Sequence, residues 1–253
     1  MNSRVVFGQS FVRHTGAYGL FFVACLVSSV RHGIRWERVL DEARRLGVGS
    51  FVVLATMAVF VGTNLAIQGD AAFSALGAQS LVGMFVALGG VREVCPLLAA
   101  TMVAAKAGTE MTAQLAVMRS KEQIDAMEVM AIDPRAELVT PSILAILLVL
   151  PALTIISIAI SIGAAAVVAI VQLGLESGEF TFFLMDNIRI WDLVVAMLKS
   201  LVFAGIISTV SGYFGFHSER GPAGVGRATN LAVVTMCVLC ISSNFFLSAI
   251  FYG

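Results

Sequence analysis

The chain has 253 residues, of which 58% are hydrophobic and only 13% are charged. Soluble domains carry about 25% charged residues, so the composition excludes a water-facing globular domain and predicts an all-α, polytopic membrane protein. Sixteen basic and sixteen acidic residues cancel, so the net charge points to no particular partner, and we expect no binding of nucleic acid.

The first unit, residues 1–45, contains an apolar stretch at 17–30 that is too short to cross a bilayer, which takes about 20 residues. Basic residues flank this stretch on both sides, and they favour the cytoplasmic side for both of its ends. We therefore predict an N-terminal helix that lies in the membrane interface, followed by a basic cytoplasmic segment. A cleaved signal peptide is the alternative interpretation.

The second unit, residues 46–253, contains five apolar stretches that are long enough to cross the membrane. They lie at 46–67, at 81–104, within 138–172, at 193–216 and at 228–251. The connections that contain most of the arginines are predicted to be cytoplasmic, and those at 68–80 and 172–192 to be outside. This places the N-terminus in the cytoplasm and the C-terminus outside. Pro151 is predicted to kink the third span.

Three charged residues lie inside the predicted spans, where each costs about 2.5–3.5 kcal/mol on insertion scales. They are Arg92, Glu93 and Lys199. At about 1.5 Å per residue, Arg92 is roughly 17 Å and Lys199 roughly 10 Å from the outer ends of their helices, so we expect Glu93 to meet Lys199 across helices. One hypothesis is a polar cavity open to the outer leaflet, with Arg92 and Lys199 available to an anionic head group. In the alternative, Lys199 reaches the interface and the Arg92–Glu93 pair only holds helices together.

Nothing in the sequence indicates a covalent reaction, and no catalytic residue is predicted. The Gly-rich segment 221–229 lacks the Gly-Lys-Ser/Thr of a nucleotide-binding loop, so we interpret it as a cytoplasmic turn. No second Cys/His pair accompanies the Cys-x-x-Cys motif, so neither a metal site nor a disulfide is expected. The cysteines are Cys25, Cys95, Cys237 and Cys240.

The segment 118–141 is a polar island between two apolar spans. Ile124, Met127 and Ala131 recur at helical spacing, which predicts a short amphipathic helix at about 119–133 that ends before Pro134. The helix is acidic from Glu122 onward, whereas helices that lie on lipid favour Lys and Arg. The pattern therefore favours docking into a groove of a soluble protein partner.

Four strings in the sequence resemble the MlaE/YrbE permease family, over about residues 45–250. They are MRSKEQIDAMEVMAIDP at 118–134, AAKAGTEMTAQ at 104–114, VREVCP at 91–96 and GVGRAT at 224–229. Members of that family are integral subunits of ABC-type transporters, which move lipids between the plasma membrane and outer envelope layers together with MCE-domain proteins. Departures from the family pattern at Lys106, Glu110, Gln114 and Ala116 resemble the paired permeases of actinobacterial Mce systems, which would work as heterodimers.

The resemblance implies that residues 46–253 are a permease domain and that the island is a coupling helix seated in a separate ATPase. The implied coupling residues are Lys121, Glu122, Gln123, Asp125, Met127, Glu128 and Asp133, and the implied lipid-cavity residues are Arg92, Glu93 and Lys199. The implied partners are a second permease copy, a cytoplasmic ABC ATPase dimer, MCE-domain proteins and a lipid substrate. ATP and Mg²⁺ would bind in the ATPase, and we expect no cofactor in this chain.

We therefore predict a permease subunit of an ATP-driven lipid transporter, a multi-pass protein of the bacterial plasma membrane. Two other functions remain possible at this point. One is an ATP-independent secondary transporter or channel, and the other is a membrane anchor that recruits soluble proteins. The sequence does not identify the lipid or the direction of transport.

Overall fold

The computed structural model describes Phe21, Cys25 and residues 35–253. Apart from Phe21 and Cys25, the predicted interfacial helix at 17–30 lies outside the described residues. The ring of Phe21 packs edge-on against Tyr213, with 5.9 Å between the ring centroids. The backbone carbonyl of Cys25 accepts a hydrogen bond from Thr140 Oγ1 at 3.3 Å. These two residues therefore lie against the helical bundle.

The described part of the chain from residue 35 onward is almost entirely helical, with seven helical segments and no strand. They are α1 (Trp36–Ser74), α2 (Gln79–Ser120), α3 (Gln123–Val129), α4 (Arg135–Gln172), α5 (Ser177–Asn187), α6 (Ile190–Phe216) and α7 (Pro222–Tyr252).

Five of these helices, α1, α2, α4, α6 and α7, are long and apolar enough to cross a membrane. The prediction of an all-α polytopic membrane protein with five spans is thus confirmed. The helices, at 27 to 42 residues, also extend beyond the predicted spans. Successive long helices run in opposite directions, so α3 lies at one end of the bundle and α5 at the other. We refer to these as the α3 end and the α5 end.

The bundle is held by close contact between α1 and α4. A Cβ atom at Gly62 of α1 would lie 2.0 Å from the backbone oxygen of Ser161 in α4, so only glycine permits this approach. Helices in lipid gain little from burying apolar surface and associate through such close packing at small residues. The helix α4 also continues through Pro151, so this proline does not end it.

Two stretches of α2 are π-helical, Val86–Val94 and Ala104–Gly108. Such widened turns are rare and are frequent at functional sites, because they change the direction of side chains relative to a regular α-helix. The first contains Arg92 and Glu93, and the second contains Lys106.

The connection at 172–192, predicted as an acidic outer loop, contains a helix that the sequence did not reveal. This helix, α5, buries Phe180 and Leu184 one turn apart against the start of α2. A Cβ atom at Gly83 would lie 2.4 Å from the backbone oxygen of Phe180. The acidic residues of the segment concealed this apolar face, which only the packing against α2 makes apparent.

The island helix is shorter than the predicted 119–133. Arg119 and Ser120 end α2, and a turn follows in which Glu122 has φ 58°. A left-handed residue cannot continue a right-handed helix, so α3 begins only at Gln123. Ala131 also has φ 58° and lies beyond the end of α3.

Candidate functional site

Seven polar side chains from three helices meet inside the bundle, in the half toward the α5 end. We call this group the polar cluster. Its members are Arg92 and Glu93 of α2, Asp192 and Lys199 of α6, and Asn244, Ser248 and Tyr252 of α7.

Lys199 lies at the centre of the polar cluster and is completely buried. Its Nζ donates to Glu93 Oε1 at 3.2 Å, to the backbone oxygen of Arg92 at 2.8 Å and to Ser248 Oγ at 2.7 Å. An ammonium group has three donors, so each has an acceptor. The contact that the helix depths predict between Glu93 and Lys199 is therefore present.

The local sequence of α2 explains why the Arg92 carbonyl can accept this bond. In a regular α-helix the carbonyl of Arg92 accepts from the backbone N–H four residues later, but that residue is Pro96, which has no N–H. The carbonyl lies in the π-helical stretch Val86–Val94 and receives the Lys199 ammonium instead. The Arg-Glu-x-x-Pro spacing thus creates an acceptor for a buried cation.

Arg92 is held by a second ion pair. Its Nε lies 2.8 Å from Asp192 Oδ1, and its guanidinium carbon lies 4.7 Å from the centroid of the Tyr252 ring. Asp192 is almost fully buried and also accepts the backbone N–H of Arg189 at 2.9 Å. One carboxylate therefore caps the start of α6 and neutralises Arg92, so neither charge is isolated in apolar surroundings.

Glu93 completes the connection to α7. Its Oε2 accepts from Asn244 Nδ2 at 2.9 Å, while Oε1 faces Lys199. Asn244, Ser248 and Tyr252 lie four residues apart on one face of α7, which is the face that the polar cluster occupies.

Sequence reasoning missed four members of the polar cluster. Asp192 was assigned to the outer loop, although it lies seven residues before Lys199 and therefore on the same helical face. The polar residues of α7 were not singled out because they are uncharged, and the apolar residues around them dominate the pattern. Their four-residue spacing was the available signal. The missed residues are Asp192, Asn244, Ser248 and Tyr252.

The polar cluster leaves some of its charged surface open. The side chain of Glu93 is 39% exposed and that of Arg92 is 28% exposed, whereas Lys199 is enclosed. The predicted availability of Lys199 to a head group is therefore not seen in this arrangement, because its donors are already bonded. The groups that a ligand can reach are the Glu93 carboxylate and the Arg92 guanidinium.

At the α3 end, ionic contacts join the island to the turn that precedes α7. Asp125 pairs with Arg119 and accepts from Arg220 Nη2 at 2.7 Å. Arg220 also lies 3.1 Å from Glu122, and the backbone N–H of Gly221 donates to Ser120 Oγ at 3.0 Å. Because α7 begins at the next residue, α3 and the start of α7 are held together.

The structure divides the predicted coupling residues into two groups. Ion pairs within the chain engage Glu122 and Asp125, and Asp133 Oδ1 accepts the backbone N–H of Arg135 at 2.9 Å. Met127 is half-buried. Glu122 is exposed as well as paired, and the exposed residues that these contacts do not engage are Lys121, Gln123 and Glu128.

Apolar side chains are also exposed where α3 ends. Val129 is 88% exposed and Met130 is 61% exposed. On the predicted apolar face, by contrast, Ile124 is completely buried in the core and Ala131 is exposed. The apolar residues open to a partner therefore lie at the end of α3, and Ile124 anchors the helix.

The four cysteines carry free thiols, and the described part of the chain contains no group of three or more His, Cys, Asp or Glu that could hold a metal ion. Two candidate functional regions therefore stand out. One is the polar cluster, and the other is the α3 surface, which we define by the exposed residues Lys121, Gln123, Glu128, Val129 and Met130.

Comparison with known proteins places these regions within one family. A family model described as "Permease MlaE" matches residues 39–250. A "Probable ABC transporter permease protein" of Rickettsia felis is 33% identical over 245 residues, covering 96% of this chain and 93% of the relative. The "Intermembrane phospholipid transport system permease protein MlaE" of Haemophilus influenzae is 28% identical, with coverage of 96% and 94%. "Protein TRIGALACTOSYLDIACYLGLYCEROL 1, chloroplastic" of Arabidopsis thaliana is 33% identical, with coverage of 87% and 63%.

Proposed function

Because the chain belongs to the MlaE permease family, we propose that it is the membrane-spanning permease subunit of an ABC-type transporter that moves phospholipid between membranes. The match over residues 39–250 carries this proposal, together with a relative whose name specifies intermembrane phospholipid transport. The five apolar helices support a multi-pass protein of the bacterial inner membrane.

The α3 end would face the cytoplasm and bind a separate ATPase. Lys121, Gln123 and Glu128 are exposed there beside Val129 and Met130, a mixture of polar and apolar groups that suits insertion into a groove of a soluble protein. ATP and Mg²⁺ would be bound and used in that partner. This chain would supply the surface that moves when the partner binds and hydrolyses ATP.

Movement of α3 would reach the polar cluster through α7. The contacts of Arg220 and Gly221 tie α3 to the start of α7, and Asn244 and Ser248 contact Glu93 and Lys199 near its other end. The helix has 31 residues, a length of about 46 Å at 1.5 Å per residue, and its only proline, Pro222, lies in the first turn. A displaced α3 would therefore shift α7 as a rigid body and break or reform the bonds of the polar cluster.

The polar cluster would act on the lipid head group. Arg92 would attract a phosphate and Glu93 a head-group amine, while Lys199 would hold the acidic partner in position. A second permease copy, identical or paralogous, would enclose the lipid path together with this chain. MCE-domain proteins at the α5 end would receive or deliver the lipid.

Reconstitution tests the proposal. The chain is coexpressed with its adjacent ATPase, second-permease and MCE genes, purified, and placed in liposomes that contain a fluorescent phospholipid. We expect the proteins to copurify and the phospholipid to move to acceptor liposomes only when ATP is hydrolysed. Movement at the same rate without ATP would instead support a secondary transporter or channel, and copurification without any lipid movement would support an anchor.

A further inference from the structure

A third region lies at the α3 end, far from the polar cluster. A cavity of about 340 Å³ opens there between the start of α1, the last turns of α2 and the start of α4. Ligand pockets in proteins commonly begin at about 300 Å³, so the cavity suits a small group such as a lipid head group rather than a whole lipid.

One wall of the cavity is formed by charged residues of α1. Arg38, Asp41, Glu42 and Arg45 recur there at helical spacing, so they face the cavity together. The opposite surface is mainly apolar, with Met111, Leu115 and Met118 of α2 and Leu138 and Pro141 of α4, and it also includes the polar side chains of Gln114, Glu137 and Ser142. The cavity is thus amphipathic, with most of its charge on the α1 side and flexible apolar side chains such as methionine on the other.

The charged wall offers both signs of charge. Arg45 is occupied by Glu42 at 2.7 Å, by Glu110 at 3.3 Å and by Gln114 at 2.9 Å. Arg38 pairs with Glu137 through Nη1, and a guanidinium has five N–H donors, so others remain for a ligand anion. Asp41 is exposed, and no ion pair to it is found in the described part of the chain.

The depth of the cavity relative to the membrane indicates which kind of ligand can reach it. Charged residues are frequent in the first turns of α1, and the side chain of Trp36 is 57% exposed there. Exposed tryptophan at the end of an apolar helix is typical of the membrane–water boundary. The cavity therefore lies at the depth of head groups in the leaflet on the α3 side.

We propose that this cavity binds the head group of a zwitterionic phospholipid from that leaflet. The phosphate lies beside Arg38, the ammonium group beside Asp41 and Glu42, and the first carbons of an acyl chain lie against Met111 and Leu115. An anionic lipid satisfies only the guanidinium and meets the Asp41 carboxylate unfavourably. Binding of a head group in this cavity does not depend on whether the chain transports lipid.

Native mass spectrometry of the full-length purified chain tests the proposal. The protein is incubated with phosphatidylethanolamine or with phosphatidylglycerol of the same acyl composition, and the retained lipid is counted for the parent and two variants. We expect Asp41→Asn to retain several-fold less phosphatidylethanolamine and more phosphatidylglycerol, because the carboxylate that holds the ammonium and repels an anionic lipid is gone. The matched control, Glu37→Gln, changes an exposed acid one turn earlier on α1 that does not line the cavity, and it should behave as the parent.

Two results would overturn the proposal. One is equal retention of phosphatidylethanolamine by the parent, Asp41→Asn and Glu37→Gln, with unchanged melting temperatures that exclude misfolding. The other is displacement of the lipid by glycerophosphoethanolamine at the same concentration as by the intact lipid, which would assign the cavity to a soluble zwitterion. If the parent protein retains phosphatidylethanolamine selectively but shows no ATP-driven lipid transport, the proposed function is contradicted and this binding site is not.

Discussion

At the scale of single residues, the polar cluster shows how a bilayer protein keeps ions in its interior. A lone lysine in the middle of a span is costly, but the buried ammonium of Lys199 has a carboxylate, a carbonyl and a hydroxyl as acceptors. The carbonyl is supplied because Pro96 cannot bond it, and the carboxylate of Glu93 is held by Asn244. Each ion therefore depends on its own partners, and removal of one leaves its partner unpaired.

Lys199→Met tests this dependence. Removing one partner of a buried ion pair costs about 3–5 kcal/mol, and we expect about 3 kcal/mol, because Glu93 remains 39% exposed and water offsets part of the loss. The melting temperature in detergent should fall clearly, and adding Glu93→Gln should restore part of it. Lys106→Met is the control, since the Lys106 side chain is 52% exposed and its nearest acid, Glu110, is 3.9 Å away. Equal effects of the Lys199 and Lys106 changes would contradict the account.

Sequence reasoning could identify part of the polar cluster. Arg92, Glu93 and Lys199 were recognisable because charge inside an apolar span is conspicuous, and helix depth was enough to pair Glu93 with Lys199. Asn244 and Asp192 were not recognised. The rotation of each helix about its own axis decides which polar side chains meet, and depth alone does not provide it.

At the scale of elements, close contacts between helices determine the arrangement. The five long helices follow from apolar length alone, and they were predicted. The helix α5 was not, because only its fit against Gly83 distinguishes a packed helix from an acidic loop. The limits of α3 were misjudged because the left-handed turn falls on Glu122, and no glycine or proline marks this turn in the sequence.

Gly62→Ala tests the contact between α1 and α4. The new Cβ would lie 2.0 Å from the Ser161 backbone oxygen, so the two helices must separate, and overpacking of this kind costs about 1–3 kcal/mol. Thermal unfolding in detergent should show the loss. Gly163→Ala in α4 is the matched control, because nothing lies within 4 Å of its Cβ position. A melting temperature for Gly62→Ala equal to that of the control would show that the backbones adjust without cost.

Glu128→Lys tests the α3 surface. Glu128 is exposed, and reversing its charge should weaken binding of the proposed ATPase about tenfold, or about 1.4 kcal/mol, while the fold remains intact. Copurification of the two proteins at fixed salt measures the effect. Glu37→Lys, at the same end of the bundle but on α1, should leave binding unchanged. Binding of the Glu128 variant at parent strength would argue that α3 does not contact the partner.

At the scale of the whole molecule, the chain separates a surface for a partner from a polar site for a ligand and joins them by one helix. The two regions were predictable as separate features, because each has its own charge pattern. Their connection through α7 was not, since it depends on contacts of Arg220 at one end and Asn244 at the other. The sequence does not show that the contacts of Arg220 and of Asn244 lie at the two ends of one rigid helix.

Asn244→Leu separates partner binding from transport. The change removes the bond to Glu93 at the far end of α7 but leaves the Arg220 contacts with α3 intact, so the ATPase should still copurify at the parent level. Hydrogen bonds to charged groups contribute about 1.5–3 kcal/mol, so ATP-driven lipid movement in liposomes should fall about tenfold. Asn230→Leu is the matched control, because Asn230 is exposed on the same helix, about 21 Å nearer the α3 end at 1.5 Å per residue, and it should transport normally. Parent-level transport by the Asn244 variant would exclude the polar cluster from the lipid path. An equal loss of ATPase binding would mean that the change also disturbs the α3 end, so partner binding and transport would not be separable at Asn244.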